Sequence, residues 1–238
     1  MSDLDFLLNF NVSIMDRFFK NREIVCGVID KLPIIIRLDG VNFGRVLKNF
    51  EKPRDYRVHD ALIEAGKELM RKFSSSYVLV ISDEINVVLM NYLPYGGRVF
   101  KLITIASGLA SSITSLKLKV NAYFDARVVK LEDFEEVVKY LIYRVRVGFN
   151  NYVLSVAFSK NIVNRECVPR LREVLKSLKE ITIDWRSVGT LLIRERVVKE
   201  VFDKLRKVKT VTTRPVIRQE VSIYFLRRFS QNCNFYSS

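Results

Sequence analysis

The chain has 238 residues, of which 49% are hydrophobic and 11% aromatic, enough for a core in one large domain or two small ones. Its 40 Lys and Arg against 26 Asp and Glu give a net charge of +14, which favours a polyanionic partner such as nucleic acid. Three dispersed cysteines argue against a disulfide framework and a structural zinc site. We therefore expect a cytoplasmic protein, and the absence of a signal peptide or a long apolar run predicts no membrane contact.

The first half of the chain predicts the element order β-α-β-β-α-β, after two weakly amphipathic pieces at residues 3–10 and 12–20. This order is that of a ferredoxin-like α+β fold, in which the first and third strands are central neighbours. The single histidine, His59, lies inside a predicted helix and is expected to be a surface residue or one satisfied within the fold, which makes histidine-based catalysis improbable. The predicted strands are 32–38, 77–81, 85–93 and 119–129, and the predicted helices are 56–73 and 98–115.

The second half is predicted to be mostly helical and packed on the first, with a boundary near residue 130. Gly148 is expected to break one long helical stretch into two. We therefore divide the chain into a catalytic domain at 1–130 and a basic α/β region at 131–238. The predicted helices are 131–145, 150–159 and 168–178, and they are followed by a short strand at 191–193, a charged stretch at 194–209 and a last strand at 216–225.

Acidic residues follow two of the apolar strands. Asp39 ends the first strand, and Asp83 and Glu84 lie between the second and third. Because adjacent strands bring these ends together, Asp39 and Asp83 would form an oxygen site for one or two Mg²⁺ ions and phosphoryl or nucleotidyl chemistry. The alternative interpretation is that these are acids in ordinary turns, where acids are common.

Two further features are weaker signals. The glycine-containing turn at 40–44 would let backbone N–H groups approach phosphate oxygens. Lys101 lies in the first turns of a helix, where a nearby anion would favour it, although a solvated lysine is the common case. Asp55 is a suitable N-cap for the helix that follows it.

Seven short motifs occur in an order and spacing that resembles the tRNA-histidine guanylyltransferase superfamily, and in particular its archaeal and bacterial guanylyltransferase-like 3′-to-5′ polymerases. The resemblance spans about residues 30–220. The motifs are RLDGVNFGR (37–45), FEKPRD (50–55), ISDE (81–84), GRVFK (97–101), FDARVV (124–129), FNN (149–151) and WRSVGTLLIRE (185–195).

The resemblance implies a polymerase-type palm and a reaction at the 5′ end of tRNA. ATP or GTP would activate a 5′-monophosphate, and the 3′-hydroxyl of a nucleoside triphosphate would then attack the activated end. It implies two Mg²⁺ ions held by Asp39, the Gly40 carbonyl and Asp83, with Glu84 as a supporting acid. The implied nucleotide-binding residues are Gly40, Val41, Asn42, Phe43, Gly44, Ser82, Lys52, Asp55 and Lys101. The implied tRNA-binding residues are Arg144, Arg146, Asn150 and Asn151, and the implied assembly is a homotetramer.

Several positions depart from the eukaryotic pattern of this family. The eukaryotic enzymes carry histidines at the positions of Gly44 and Gly148, and an asparagine at the position of Arg54. These departures favour template-directed repair of 5′-truncated tRNA over addition of one G to the histidine tRNA. Two other interpretations stay open: a palm-type nucleotidyl cyclase, which would not need the basic second half, and a tRNA-binding protein without activity, against which the two carboxylates argue.

Overall fold

A computed structural model describes residues 27–164, 166, 168–178, 181–203 and 208–230 of the chain. The predicted helical pieces at 3–10 and 12–20 lie outside the described residues. The described strands form one six-stranded antiparallel sheet of order β4-β1-β3-β2-β5-β6. They are β1 (Ile34–Gly40), β2 (Tyr77–Ile81), β3 (Glu84–Leu89), β4 (Phe124–Lys130), β5 (Thr190–Asp203) and β6 (Val208–Val221).

The helices of the described residues join these strands in the predicted ferredoxin-like order and then continue through the second half. A short 3₁₀ turn at Pro94–Gly97 precedes the third of them. They are α1 (Phe43–Val46), α2 (Tyr56–Phe73), α3 (Val99–Leu118), α4 (Phe134–Ser159), α5 (Leu171–Leu178), α6 (Trp185–Val188) and α7 (Ser222–Ser230).

Helices cover both faces of the sheet. Ile34, Ile36 and Leu38 of β1 pack with α2 and α3, and the intervening Ile35 packs with α4 and α7. These four side chains have no solvent exposure. A strand buried on both sides needs apolar residues throughout, which explains the continuous run from which this strand was predicted.

Helix α3 is long and apolar enough to cross a membrane by length and composition alone. Its Leu102, Ala106 and Ala110 are fully buried and belong to the core beneath the sheet. Helices that are buried in the core of globular domains can have the same length and composition, so these two properties are weak evidence for a membrane span.

The α+β fold and its strand order are confirmed, but several element boundaries differ from the prediction. The third strand begins at Glu84 and ends at Leu89, so Glu84 belongs to the sheet and not to the turn. The fourth strand is Phe124–Lys130, and the predicted strand at 216–225 ends at Val221, where α7 begins. The charged stretch after residue 193 is a strand rather than a loop, and β5 with β6 extends the sheet beyond β2.

The predicted helix break at Gly148 is wrong. Helix α4 runs without interruption from Phe134 to Ser159, and Gly148 is buried within it. A Cβ atom at Gly148 would lie 2.3 Å from the Cδ1 atom of Ile81. The glycine therefore allows α4 to approach β2 closely, and its low helix propensity is overridden by tertiary packing.

Candidate active site

The ends of β1 and of the β2–β3 hairpin meet at one edge of the sheet. Asp39 pairs in register with Glu84, and the backbone N–H of Gly40 donates to the carbonyl oxygen of Asp83 at 3.1 Å. The hairpin loop is only Ser82 and Asp83, since Ile81 pairs with Glu84 across it. The structure thus brings the two predicted metal-binding carboxylates to neighbouring positions.

The hairpin loop has a conformation that side chains rarely adopt. Ser82 has a φ of 58°, in the left-handed region where glycine is usually found. Its hydroxyl donates to Oδ1 of Asp83 at 2.8 Å. A left-handed residue that carries a side chain costs on the order of 1 kcal/mol, and such strain is concentrated at functional sites.

Glycine at position 40 is required by its neighbour. A Cβ atom there would lie 2.6 Å from the ring of Phe43, which folds back over the end of β1. The buried Phe43 ring also packs edge-on against Phe124 of β4, with ring centroids 5.1 Å apart. This packing holds the loop at 40–44 over the edge of the sheet. Gly44, in contrast, has open space around it.

The acids at this edge are only partly compensated by cations. Nη2 of Arg37 donates to Oδ2 of Asp39 at 2.7 Å and to Oε1 of Glu84 at 2.9 Å, so one guanidinium serves two carboxylates. Burial, Glu84 and Asp83 together raise the pKa of Asp39 despite this ion pair. Arg37 was not among the predicted site residues. Its position two residues before Asp39 on one strand places both on the same face, so the alternation of a strand could have revealed it.

Glu84 and Arg144 form a buried ion pair across the sheet and α4. Nε of Arg144 donates to Oε2 of Glu84 at 2.9 Å, and its Nη2 donates to Oε1. The side chains of Arg144 and Glu84 are 7% and 11% exposed. The guanidinium of Arg144 is inside the protein and already paired, which argues against the predicted contact with tRNA. Glu84 likewise accepts from two arginines and is not a free acid.

A cleft of about 240 Å³ opens beside this edge. Its walls include Asp83 and Ser82 at one end and Trp185 at the other. Five of the predicted nucleotide-binding residues line this cleft together with the predicted metal ligand Asp83: Phe43, Gly44, Lys52, Asp55 and Ser82.

Two of these cleft residues have protein partners. Nζ of Lys52 donates to the carbonyl oxygen of Leu47 at 3.1 Å, and Lys52 is otherwise exposed. The carboxylate of Asp55 caps α2, as predicted, and is paired with Arg57. These contacts hold the pKa of Asp55 well below its usual range.

The far wall of the cleft is aromatic. The ring of His59 stacks on Trp185 with centroids 4.5 Å apart, and its Nε2 lies 2.9 Å from Oγ1 of Thr190. Burial lowers the pKa of His59 to about 4, so the ring is neutral near pH 7. The expectation of a satisfied helix histidine is confirmed. A flat, neutral wall of this kind suits the face of a nucleobase.

Other predicted residues lie away from this cleft. Lys101 is exposed in the first turn of α3, and Asn151 is exposed on α4. Arg146, also on α4, lies beside an apolar groove with Ile142. Asn150 is half-buried, and no atom of the described residues hydrogen-bonds its Oδ1. The roles of these residues stay predictions.

The donor set at the edge fits Mg²⁺. Asp39, Asp83 and a backbone carbonyl are all hard oxygen ligands, and the excess of negative charge that raises the pKa of Asp39 favours a bound cation. Within the described ranges no group of three His, Cys, Asp or Glu is arranged to hold a metal. Few protein ligands, completed by water and phosphate oxygens, are typical of Mg²⁺ sites that bind nucleotides.

Three comparisons with known proteins found similar chains. The family model described as tRNAHis guanylyltransferase (Thg1) matches residues 16–132. The "Uncharacterized protein R259" of Acanthamoeba polyphaga mimivirus is 26% identical over 206 residues, which are 69% of this chain and 70% of the viral protein.

The fold is that of two solved proteins in particular. A bacterial tRNA(His) guanylyltransferase (Thg1)-like protein in complex with GTP superimposes with a TM-score of 0.71 at 21% identity, covering 92% of this chain and 98% of that one. The tRNA(His) guanylyltransferase of Saccharomyces cerevisiae gives a TM-score of 0.61 at 20% identity, covering 82% and 94%. Members of the matched family are tRNA guanylyltransferases, and thus nucleotidyltransferases. Residues 16–132, which hold all three carboxylates of this edge, place the chain in the tRNAHis guanylyltransferase family.

Proposed function

We propose that this protein adds nucleotides to the 5′ end of tRNA in the 3′-to-5′ direction, copying the opposite strand to repair a shortened end. The observation that carries the proposal is the meeting of Asp39 and Asp83 through the bond from Gly40 N–H to the Asp83 carbonyl, in a segment matched by the family model. The bacterial relative with a similar fold was solved in complexes with GTP and with ATP, which supports these as substrates here.

Asp39, Asp83 and the Gly40 carbonyl would hold Mg²⁺, with two ions expected. When bound, Mg²⁺ gathers phosphate charge and favours attack by an oxygen nucleophile. Arg37 fixes the orientation of Asp39, and Arg144 pairs with the carboxylate of Glu84. Lys52 and the hydroxyl of Ser82 lie on the cleft wall, where they can bind phosphate oxygens.

The β5–β6 hairpin provides a surface for the RNA backbone. Thr190–Ile193 of β5 pair with β2 on one side, whereas β5 pairs with β6 along its whole length. Between residues 194 and 218 the sequence holds nine Lys or Arg and three Asp or Glu. Arg196 and Arg214 are exposed at adjacent positions of the ribbon, where Arg196 pairs with Pro215 and Arg214 pairs with Val197. A basic two-stranded ribbon of this kind suits tRNA phosphates, and its affinity for them would fall as salt rises.

Two glycines favour end repair over recognition of the histidine tRNA. The eukaryotic pattern places histidines at the positions of Gly44 and Gly148. No side chain fits at Gly148 without moving Ile81, which is 2% exposed. We therefore propose that the chain lacks side chains dedicated to recognition of the histidine tRNA. The homotetramer and the cytoplasmic location are part of the same proposal.

The test is incorporation of labelled nucleotides into a 5′-monophosphorylated tRNA that lacks its first residue, with Mg²⁺ and all four nucleoside triphosphates. We expect incorporation that follows the opposite base and that is lost in Asp39→Asn and Asp83→Asn. Asp60→Asn, which removes the same charge from an exposed ion pair between α2 and Lys117 of α3, is the control. Extension of intact histidine tRNA by a single G, with no templated repair, would contradict the proposal, as would a cyclic product formed from ATP alone.

A further inference from the structure

Arg54 stands where two clefts of the protein meet. The first cleft is the one that contains Ser82 and Asp83. The second cleft, of about 730 Å³, runs along the C-terminal end of α4 and is lined by Ser155, Ser159, Asn161 and Asn164. The two clefts have three residues in common: Lys52, Pro53 and Arg54. A ligand that extends from one cleft to the other must pass these residues.

The guanidinium of Arg54 is poorly satisfied by the protein. Its Nε is buried, and no acceptor in the described part of the chain lies within hydrogen-bond distance of it. Its Nη1 donates to the carbonyl oxygen of Pro53 at 3.3 Å, which is a weak contact. Burial lowers the pKa of Arg54, and the charge of Asp83 opposes this effect.

Such an arrangement is unfavourable unless a ligand completes it. A buried N–H donor without an acceptor, as at Nε of Arg54, costs free energy that a bound anion would recover. Arginine is also the side chain whose planar fork matches a phosphate group, because two parallel N–H bonds reach two of its oxygens. The position of Arg54 beside Asp83 therefore indicates a phosphate close to the reacting groups.

The second cleft indicates which phosphate this is. The described residues that line it carry hydroxyl and amide groups but no carboxylate, and it is about three times larger than the first cleft. Hydroxyl and amide groups hydrogen-bond sugars and phosphates of an RNA backbone. A free nucleotide would need only the smaller cleft.

We propose that Arg54 binds the 5′-phosphate of an RNA strand that lies in the second cleft, next to a nucleotide held in the first. This inference rests on the proposed function, since it names the subsite for the RNA end on which that function acts. In this arrangement Arg54 is a binding residue for the RNA end. Lys52, which also lines both clefts, supplies a second positive charge.

The experiment compares two RNA oligonucleotides of one sequence, one with a 5′-phosphate and one with a 5′-hydroxyl, both labelled at the 3′ end. Binding to the full chain is measured by fluorescence anisotropy in EDTA, so that it does not depend on catalysis. We expect the wild-type protein to bind the 5′-phosphorylated RNA more tightly than the 5′-hydroxyl RNA. In Arg54→Gln, the ratio of the two affinities should fall by about tenfold or more. Lys72→Gln, which removes the same charge from an exposed position at the end of α2, keeps it.

The second cleft is tested with Ser159→Glu. Ser159 is exposed at the end of α4, so the change places a negative charge in the cleft without disturbing the core. We expect it to weaken binding of both RNAs while leaving the affinity for ATP unchanged. A preference that persists in Arg54→Gln, or its absence from the wild-type protein, would overturn the inference. A preference that depends on Arg54 in a protein that incorporates no nucleotide would refute the proposed function and leave this subsite standing.

Discussion

Replacing Arg144 by methionine separates a structural role from an RNA-binding role. The guanidinium of Arg144 is bonded through Nε and Nη2 to both oxygens of Glu84, and the residue is 6% exposed. Methionine fills a similar volume but leaves the buried Glu84 carboxylate with Arg37 as its remaining cation. We therefore expect the substitution to destabilise the protein without removing a contact to RNA.

The magnitude follows from the burial of the pair. Removing one partner of a buried ion pair costs about 3–5 kcal/mol, because the other charge is left uncompensated. Since Arg37 continues to donate to Glu84 at 2.9 Å, we expect a loss near the lower end, about 3 kcal/mol. This is a large part of the 5–15 kcal/mol that is typical of folded domains.

Urea denaturation measures this loss, with the m-value expected to stay unchanged. Arg146→Met is the matched control, since Arg146 is two residues along the same helix and exposed, and its effect on stability should stay within about 0.5 kcal/mol. Binding of tRNA over a range of salt concentrations provides the second readout. The reasoning is refuted if Arg144→Met is as stable as Arg146→Met and instead lowers the tRNA affinity and its salt dependence.

Two further predictions concern packing and pH. Gly148→Ala should lower the free energy of unfolding by about 1 kcal/mol, since overpacking against Ile81 costs about 1–3 kcal/mol and outweighs the gain in helix propensity. Gly108→Ala on α3, where a Cβ atom meets nothing, should raise the free energy of unfolding by up to about 1 kcal/mol. Thermal melts that show the same effect for Gly148→Ala and Gly108→Ala would contradict this account. His59 has a pKa of about 4 in the folded state against 6.5 ordinarily, so the unfolded state binds the extra proton first and stability is lost as pH falls from 6.5 towards 4. His59→Gln should reduce the loss between pH 7 and pH 5 by about 2 kcal/mol in urea titrations, and an unchanged pH dependence would show that His59 is not its source.

Elements with one dominant signal could be predicted to the residue. Helix α2 and strand β2 have the predicted bounds, Tyr56–Phe73 and Tyr77–Ile81. An N-cap at Asp55 and an apolar face define the first, and a short apolar run before a turn defines the second. The meeting of Asp39 and Asp83 also followed from the strand order alone, because strands of known adjacency fix which ends are neighbours.

Features that depend on tertiary packing could not be predicted in this way. Helical propensity alone treats Gly148 as a break, since the neighbouring Ile81 is distant in sequence. Arg144 on a helix was interpreted as a surface charge, because nothing in its own segment reveals the buried acid that it meets. The strand after Ile193 was missed since both of its faces carry charged residues, which removes the alternation by which strands are identified.

The pairing of β2 with β5 has a consequence for where the folding unit ends. The family model ends at residue 132, yet the outer edge of β2 is covered by Thr190–Ile193, more than a hundred positions further along the chain. Without β5, the apolar residues of β2 would form an open sheet edge with unpaired N–H and carbonyl groups, which is the usual template for aggregation. Closing so long a loop is slow and entropically costly, so this contact is expected to form late in folding. The sheet edge that carries Asp39 and Asp83 is therefore expected to become fully native only when β5 has paired with β2.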